Sequence, residues 1–358
     1  MKEQLKIIYS FGVYKDFEKE IEITERFSNG KYQIIPFNHR KFLGWEKDVS
    51  PWQLDDYYRN GHEGLKKLYK HIKELCKDAD VFYVDHECVY HPDFIKELSK
   101  NIYTVYYSGD DPETSYWRSK PYLYAFDHTF CYGVYHSQKQ KMNEKFIEWG
   151  AKRADLRPHG CWDNQFDHLI SEDAILNKHR DIDIIFIGGS ATKSRNDFLL
   201  KLKKVFGPSF HIYGNWDGLK GVLARAYHGY GFLSINKLPQ NLLLNYYQRA
   251  KIGINIHQSF GPCNLRLYEL PMNGIMQICD NKLGLAELYE LDKEVVGYDT
   301  FEEAVEKIRY YLKNDEERKK IALNGYKKTK EKYLFRTTFY DSMEKIILGM
   351  KEKVEFSL

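Results

Sequence analysis

Cysteine is scarce and unpaired. Cys76, Cys88, Cys131, Cys161, Cys263 and Cys279 lie far apart in 358 residues, and no C-x-x-C occurs. That excludes a zinc ribbon or a disulfide framework and fits reduced thiols. Long hydrophobic runs are lacking too: no stretch approaches the ~20 apolar residues that cross a bilayer. The opening MKEQLKIIYSFG enters a strand-like run with no signal-peptide layout, so a cytoplasmic protein is expected. Charge of one sign is also missing. A net charge of +3 is too balanced for a dedicated nucleic-acid binder, and no nucleic-acid partner is expected. Neither G-x-G-x-x-G nor G-x-x-x-x-G-K-[ST] is present, which removes the dinucleotide fingerprint and the P-loop. There is no internal repeat and no low-complexity segment.

What remains is an ordinary globular mix, 43% hydrophobic and 29% charged, in a chain long enough for two domains. Short β-rich runs alternate with longer helical ones, the signature of α/β layers around parallel sheets. In the first half, residues 5–10, 32–37, 80–85, 102–107 and 127–132 read as strands. Leu65, Leu68, Tyr69, Ile72, Leu75 and Cys76 repeat at helical spacing over 64–77. Pro92 opens a further helix, and 137–149 is another candidate. After a polar stretch at 171–180, strands are expected at 181–189, 209–214, 251–258, 275–280 and 295–298. Two Rossmann-like domains follow, 1–170 and 171–335, with a C-terminal helix over 336–358 returning to the first.

Three constellations carry candidate chemistry. The first is IIFIGGSATKSRND, where a strand ends in Gly188-Gly189-Ser190 and Ser194-x-x-Asp197 reads as a capping box. Glycines let backbone N–H groups approach a ligand, and a helix N-terminus favours an anion. Arg195, with Lys193, adds positive charge there; a plain strand–turn–helix is the alternative.

The second is INIHQSFGPCNLRLYELPMNG. A strand ends at His257, Asn264 is placed to cap the next helix, and Arg266 and Glu269 share one face of it. A carboxylate accepts hydrogen bonds from a ribose diol, and an arginine suits phosphate. An intrahelical ion pair and a satisfied core histidine are the competing explanations. Pro271 is awkward inside a helix.

The third is YYSGDDPETSYW, where Asp110 and Asp111 sit beyond a strand's C-terminal edge, one a candidate general base on an acceptor hydroxyl. An Asp-Pro turn is the plainer reading, and no third oxygen ligand for a cation is evident. His86 and Glu87 hold the equivalent place after the previous strand. Gly12 ends the first strand, and Trp117 closes the third constellation. Trp45, Trp52, Tyr57 and Tyr58 form an aromatic-rich loop, a sugar platform or core packing. Residues 313–332 hold eight Lys/Arg against four Asp/Glu, a solvated helix face or a patch for peripheral contact with anionic lipid.

The order of these features resembles a GT-B glycosyltransferase, in particular the group 1 transferases related to the spore-maturation protein CgeB. The likeness is strongest over 181–333, through FIGGS with Arg195, IYGNW, INIH, N-x-R-x-x-E at 264–269 and Gly274. The passage EWGAKRADLRPHGCWDNQF is similar to the link between the two domains of that family. The resemblance implies a nucleotide-sugar donor on the C-terminal domain, a carbohydrate or glycoconjugate acceptor on the N-terminal one, and a cleft between them. It implies no cofactor and no metal. Glu269 matches the glutamate on the ribose hydroxyls, Arg195 and Arg266 the diphosphate ligands, and Gly188-Gly189 the loop facing the phosphates. Ser190, His257 and Asn264 join them as donor-binding candidates. Asp110, Asp111 and His86 are the catalytic candidates, and Gly12, Glu87 and Trp117 the acceptor-binding ones. Many group 1 transferases carry two glutamates with seven residues between them, but the earlier position here is Gly261. That departure keeps open a non-catalytic nucleotide- or sugar-binding protein. A nicotinamide-dependent oxidoreductase shares the layers but lacks the fingerprint. The default assembly is a monomer or dimer.

Overall fold

The computed structural model describes residues 4–12, 16–46, 49–86, 89–109, 112–163, 170–230, 235–239, 242–258, 260–261, 264–280 and 282–355. The chain divides into two compact units. Unit 1 comprises Met1–Phe166 and Leu334–Leu358, and unit 2 comprises Asp167–Tyr333.

In unit 1 the strands are β1 (Leu5–Phe11), β2 (Tyr32–Asn38), β3 (Val81–Asp85), β4 (Tyr103–Ser108), β5 (His128–Cys131), the hairpin β6 (Tyr135–Ser137) and β7 (Gln140–Lys141), and β8 (Ala154–Leu156). Six of them form a parallel sheet in the order β2-β1-β3-β4-β5-β8. The central strands β3 and β4 are buried along their whole length because both faces of the sheet are covered. On one face the helix Glu63–Leu75 buries Leu65, Leu68, Tyr69 and Ile72, with Tyr69 stacked on Phe94 at 4.1 Å between ring centroids. The C-terminal helix Phe335–Glu355 belongs to this unit: it buries Phe335, Phe339, Met343 and Ile346, and the Phe335 N–H donates to the Cys161 carbonyl at 2.7 Å.

In unit 2 the strands β9 (Ile182–Ile187), β10 (Phe210–Tyr213), β11 (Ala250–Asn255), β12 (Met276–Cys279) and β13 (Val296–Gly297) form a second parallel sheet, ordered β10-β9-β11-β12-β13. No helix among the described residues is long and apolar enough to cross a membrane.

Several local expectations need correction. The segment read as a helix over 137–149 forms the β6–β7 hairpin first, and the helix runs over Met142–Glu148. The aromatic-rich stretch is no loop over its second half. Ser50 and Gln53 form a capping box, Pro51 sits in the first turn, and the helix Pro51–Arg59 carries Trp52, Tyr57 and Tyr58. Tyr58 stacks on His91 at 3.9 Å, whereas Trp52 stands exposed. The basic segment 313–332 is mostly the helix Asp315–Lys332, and several of its cations are engaged: Arg318 and Lys319 with Asp315, Lys327 with Glu172.

Candidate functional site

Each sheet has one point where strand order reverses, and ligands of open parallel sheets bind beyond the carboxyl ends of the strands there. In unit 2 it lies between β9 and β11. Gly188 and Gly189 follow β9, and His257 follows β11.

The β9 turn is held by its own backbone. The Gly188 N–H donates to the Tyr213 carbonyl at 2.8 Å and the Ser190 N–H to the Asn215 carbonyl at 3.0 Å. The Trp216 indole N–H donates to the Gly188 carbonyl at 3.0 Å. A Cβ on Gly188 would meet Arg266 Nη2 at 2.6 Å, and one on Gly214 would meet the Gly188 carbonyl oxygen at 2.3 Å. The turn is therefore a close-approach device. The next helix is Lys193–Phe206, and its cap is Thr192 rather than Ser194: the Thr192 hydroxyl accepts from the Arg195 N–H at 3.4 Å. Ser194 already lies inside the first turn, which rules out the Ser194–Asp197 capping box.

The short helix Arg266–Met272 supplies the other wall. The cap position is Leu265 rather than Asn264, but the Asn264 Oδ1 accepts from the Leu267 N–H at 3.1 Å. Pro271 has no N–H for the Leu267 carbonyl, and the Gln277 side-chain amide donates to that oxygen at 3.2 Å instead. Arg266 reaches across to β9. Its Nε and Nη2 donate to the Ile187 carbonyl at 3.1 and 2.7 Å, and its Nη1 to Asn255 Oδ1 at 3.3 Å. Asn264 Nδ2 donates to the same Asn255 oxygen at 2.9 Å. Arg195, buried at 6% exposure, donates from Nη2 to the Gly189 carbonyl at 2.7 Å. Both guanidiniums also lie over the Phe186 ring, at 4.5 Å for Arg266 and 5.8 Å for Arg195. The two arginines thus brace the turn and keep two positive charges beside it.

Glu269 follows Arg266 by one helical step. Burial pushes its carboxyl above the usual carboxylate range, against the opposing pull of Arg266. The structure gives this carboxylate no hydrogen bond among the described residues. The buried Tyr247 phenol is pushed up by its burial, opposed by Arg266 and reinforced by Glu269.

His257 is fully buried and fixed by Asp280. The Asp280 carboxylate accepts from His257 Nδ1 at 2.7 Å and from the His257 backbone N–H at 3.1 Å. The Nδ1 proton is assigned from that contact, which leaves Nε2 an acceptor; it has no partner among the described residues. Cys279, whose thiol burial drives well up, lies 3.9 Å from His257 Nδ1. These three side chains bring ligand-type atoms within 4.8 Å of one another, and their observed state is a hydrogen-bonded cluster.

In unit 1 the reversal lies between β1 and β3. Gly12 follows β1, and His86 follows β3 with a left-handed φ of 59°. The His86 ring packs where a Cβ on Gly109 would lie, 2.2 Å from Nδ1. Trp117 projects from the helix Pro112–Arg118, 65% exposed. Glu87, Asp110 and Asp111 lie outside the described residues.

Beneath this edge is a buried polar cluster that sequence reasoning missed. Arg157, 1% exposed, donates from Nη1 to Tyr83 Oη at 2.6 Å and lies over the Tyr107 ring at 4.7 Å. Tyr9 donates to Asp85 Oδ2 at 2.6 Å, and burial raises the Asp85 carboxyl while Arg157 lowers it. Arg157 Nη2, Tyr107 Oη and His159 Nδ1 have no hydrogen-bond partner among the described residues. Burial, with Arg157 adding to it, lowers His159 to about 4.

A family model described as glycosyl transferase-like matches residues 195–343. No curated protein matches the sequence. Among solved structures, a glycosyltransferase from Rickettsia africae ESF-5 superposes with a TM-score of 0.64 at 13% identity, covering 98% of this chain and 100% of that one. Anabaena Alr3699/HepE, solved with UDP and glucose, gives 0.62 at 12% identity over 96% and 99%. Sucrose-phosphate synthase (tll1590) from Thermosynechococcus elongatus gives 0.59 at 13% identity over 98% of each chain. The fold is GT-B.

Proposed function

We propose that this chain is a glycosyltransferase, moving a sugar from a nucleotide-sugar donor to a hydroxyl acceptor, with the donor on unit 2 and the acceptor on unit 1. The observation that carries the reading is Glu269: a carboxylate raised by burial and without a hydrogen bond, one helical step from the arginine that pins the β9 turn. A ribose diol supplies the two O–H donors this carboxylate lacks. The donor diphosphate then lies over Gly188 and Gly189, where the missing side chains let it approach the backbone. Arg195 and Arg266 place positive charge where negative charge grows on the leaving diphosphate. Asn264, His257 and Ser190 are assigned to the same donor.

On unit 1 the acceptor hydroxyl is deprotonated by Asp110, with Asp111 and His86 as the further catalytic candidates. Gly12, Glu87 and Trp117 are assigned to the acceptor. The bound UDP and glucose of the HepE structure and the match to the glycosyl transferase-like family support this class of reaction. Within it, the sequence resemblance favours the CgeB-like group.

One observation favours a second reading. Gly261, in the place of a family glutamate, has φ of 85°, a conformation that strains any side chain. A donor-binding protein without turnover would tolerate that loss. The test is nucleotide release from a panel of nucleotide sugars, with and without sugar acceptors. The proposal expects turnover of one donor class, abolished in Glu269→Ala and reduced at least a hundredfold in Asp110→Asn. Tight binding with no release would favour the second reading, and silence from folded protein in both measurements would contradict both.

A further inference from the structure

At the opposite edge of the unit 2 sheet lies a cavity of about 360 Å³ whose lining is strongly cationic. Arg180 lies two residues before β9, Lys251 lies at the start of β11, and Arg318 and Lys319 come from the first turns of the helix Asp315–Lys332. Lys178 completes the set, against one lining carboxylate, Asp315. β9 is six residues long, so this edge is about 20 Å from the turn at Gly188.

The charges do not cancel. Asp315 is shared between Arg318 and Lys319, at 2.7 Å from the latter. Asp183, not itself a lining residue, pairs with Lys251 at 2.6 Å. Glu316 also pairs with Lys319, at 3.4 Å, and with these three carboxylates counted a surplus of two positive charges remains on the lining. Two of the cations are deeply buried: Arg180 is 8% and Arg318 4% exposed. Arg180 has no carboxylate partner among the described residues. It donates to four backbone carbonyls, those of Ala250 and Gly274 at 2.7 Å and of Tyr247 and Asn273 at 3.4 Å. Those bonds fix the guanidinium but leave its charge uncompensated, and burial with the charge of Arg318 lowers its pKa to about 10. Lys178 is exposed at the mouth and makes no ion pair among the described residues. Buried positive charge without a counter-ion is costly, and a bound anion removes that cost.

We propose that this cavity is a second anion site, built for a small, multiply charged phosphate compound and separate from the donor crevice. Arg180 and Arg318 supply fixed charge from below, and Lys178 and Lys319 supply the movable N–H donors. The volume accommodates a phosphate ester or inorganic pyrophosphate and excludes a folded partner. A ligand here contacts the residues entering β9 and β11, the two strands whose far ends form the donor crevice.

The test is calorimetric titration of the full chain with inorganic pyrophosphate and, separately, ribose 5-phosphate, at constant ionic strength. For pyrophosphate the wild type is expected to bind two equivalents, one at each edge. Lys178→Glu/Lys319→Gln, checked for folding by circular dichroism, should weaken one equivalent at least tenfold. It should leave nucleoside diphosphate binding unchanged. Arg266→Ala should remove the other equivalent. Ribose 5-phosphate binding lost in the lysine variant identifies an ester as the ligand; its absence, with pyrophosphate retained, identifies the inorganic form. A single pyrophosphate equivalent lost in Arg266→Ala, or binding indifferent to the lysine variant, overturns the site without touching the donor reading.

Discussion

Arg266 Nη2 lies 2.7 Å from the carbonyl oxygen of Ile187, the last residue of β9. This bond joins the helix that carries Glu269 to the turn that carries Gly188 and Gly189. It makes the two motifs one site. Because the donor is charged, its loss is expensive, about 1.5–3 kcal/mol.

Arg266→Lys keeps the charge but cannot reach Ile187 and Asn255 with a planar fork. The expected outcome is a nucleoside diphosphate affinity reduced about 10- to 100-fold, from the energy of a charged hydrogen bond. Calorimetry on the folded variant checks it. Unchanged affinity would show that the brace does not organise the turn.

Glu269 gives a pH-dependent signature. Its carboxyl is raised by burial, so the folded chain holds that proton more tightly than the unfolded chain. The contribution favours folding below the ordinary glutamate range of about 4.3 and is lost as pH rises through the raised value. At neutral pH the ionised carboxylate is a net cost to the empty protein. Glu269→Gln should therefore raise Tm at neutral pH, with the gain vanishing at acidic pH, while nucleotide affinity falls. A Tm lowered at neutral pH would contradict the burial argument.

The close approach at Gly214 predicts a loss from the smallest possible side chain. Gly214 has φ of 139°, and a Cβ there meets the Gly188 carbonyl oxygen at 2.3 Å. Gly214→Ala should destabilise by about 1–3 kcal/mol, the range for a residue held in disfavoured backbone. It should also weaken nucleotide binding by displacing the turn. Denaturant melts with and without nucleotide separate the two effects.

In unit 1, Arg157 is the positive member of a buried group containing Asp85. Arg157→Met leaves that carboxylate without its opposing charge and Tyr83 without its charged donor, a bond of about 1.5–3 kcal/mol. The Asp85 carboxyl, already raised, then rises further. The deficit should be largest at neutral pH and shrink as acid protonates Asp85. Tm measured against pH for both proteins checks the slope.

Much of this was legible in the sequence because it is local. Runs such as IDIIFI and VFYVD are apolar and β-branched enough to be strands, and each run read as a strand overlaps one. The glycine turn after β9 and the shared face of Arg266 and Glu269 follow from spacing alone. The misses have physical causes. β8 is three half-buried residues at a sheet edge, too short for a periodic signal. The hairpin at 135–141 was hidden by a polar turn that suits a helix equally well. Arg266 finds its carbonyl 79 residues away, and Arg157 finds Tyr83 74 residues away. Such partners depend on strand order, which no local pattern carries.

The most direct test of the account is calorimetric titration of the full chain with a panel of nucleoside diphosphates and their sugars. The account predicts one selective nucleotide bound one-to-one at the β9–β11 edge, lost in Glu269→Ala and retained in Lys178→Glu/Lys319→Gln. A silent panel from folded protein, or nucleotide binding indifferent to Glu269→Ala, would contradict it.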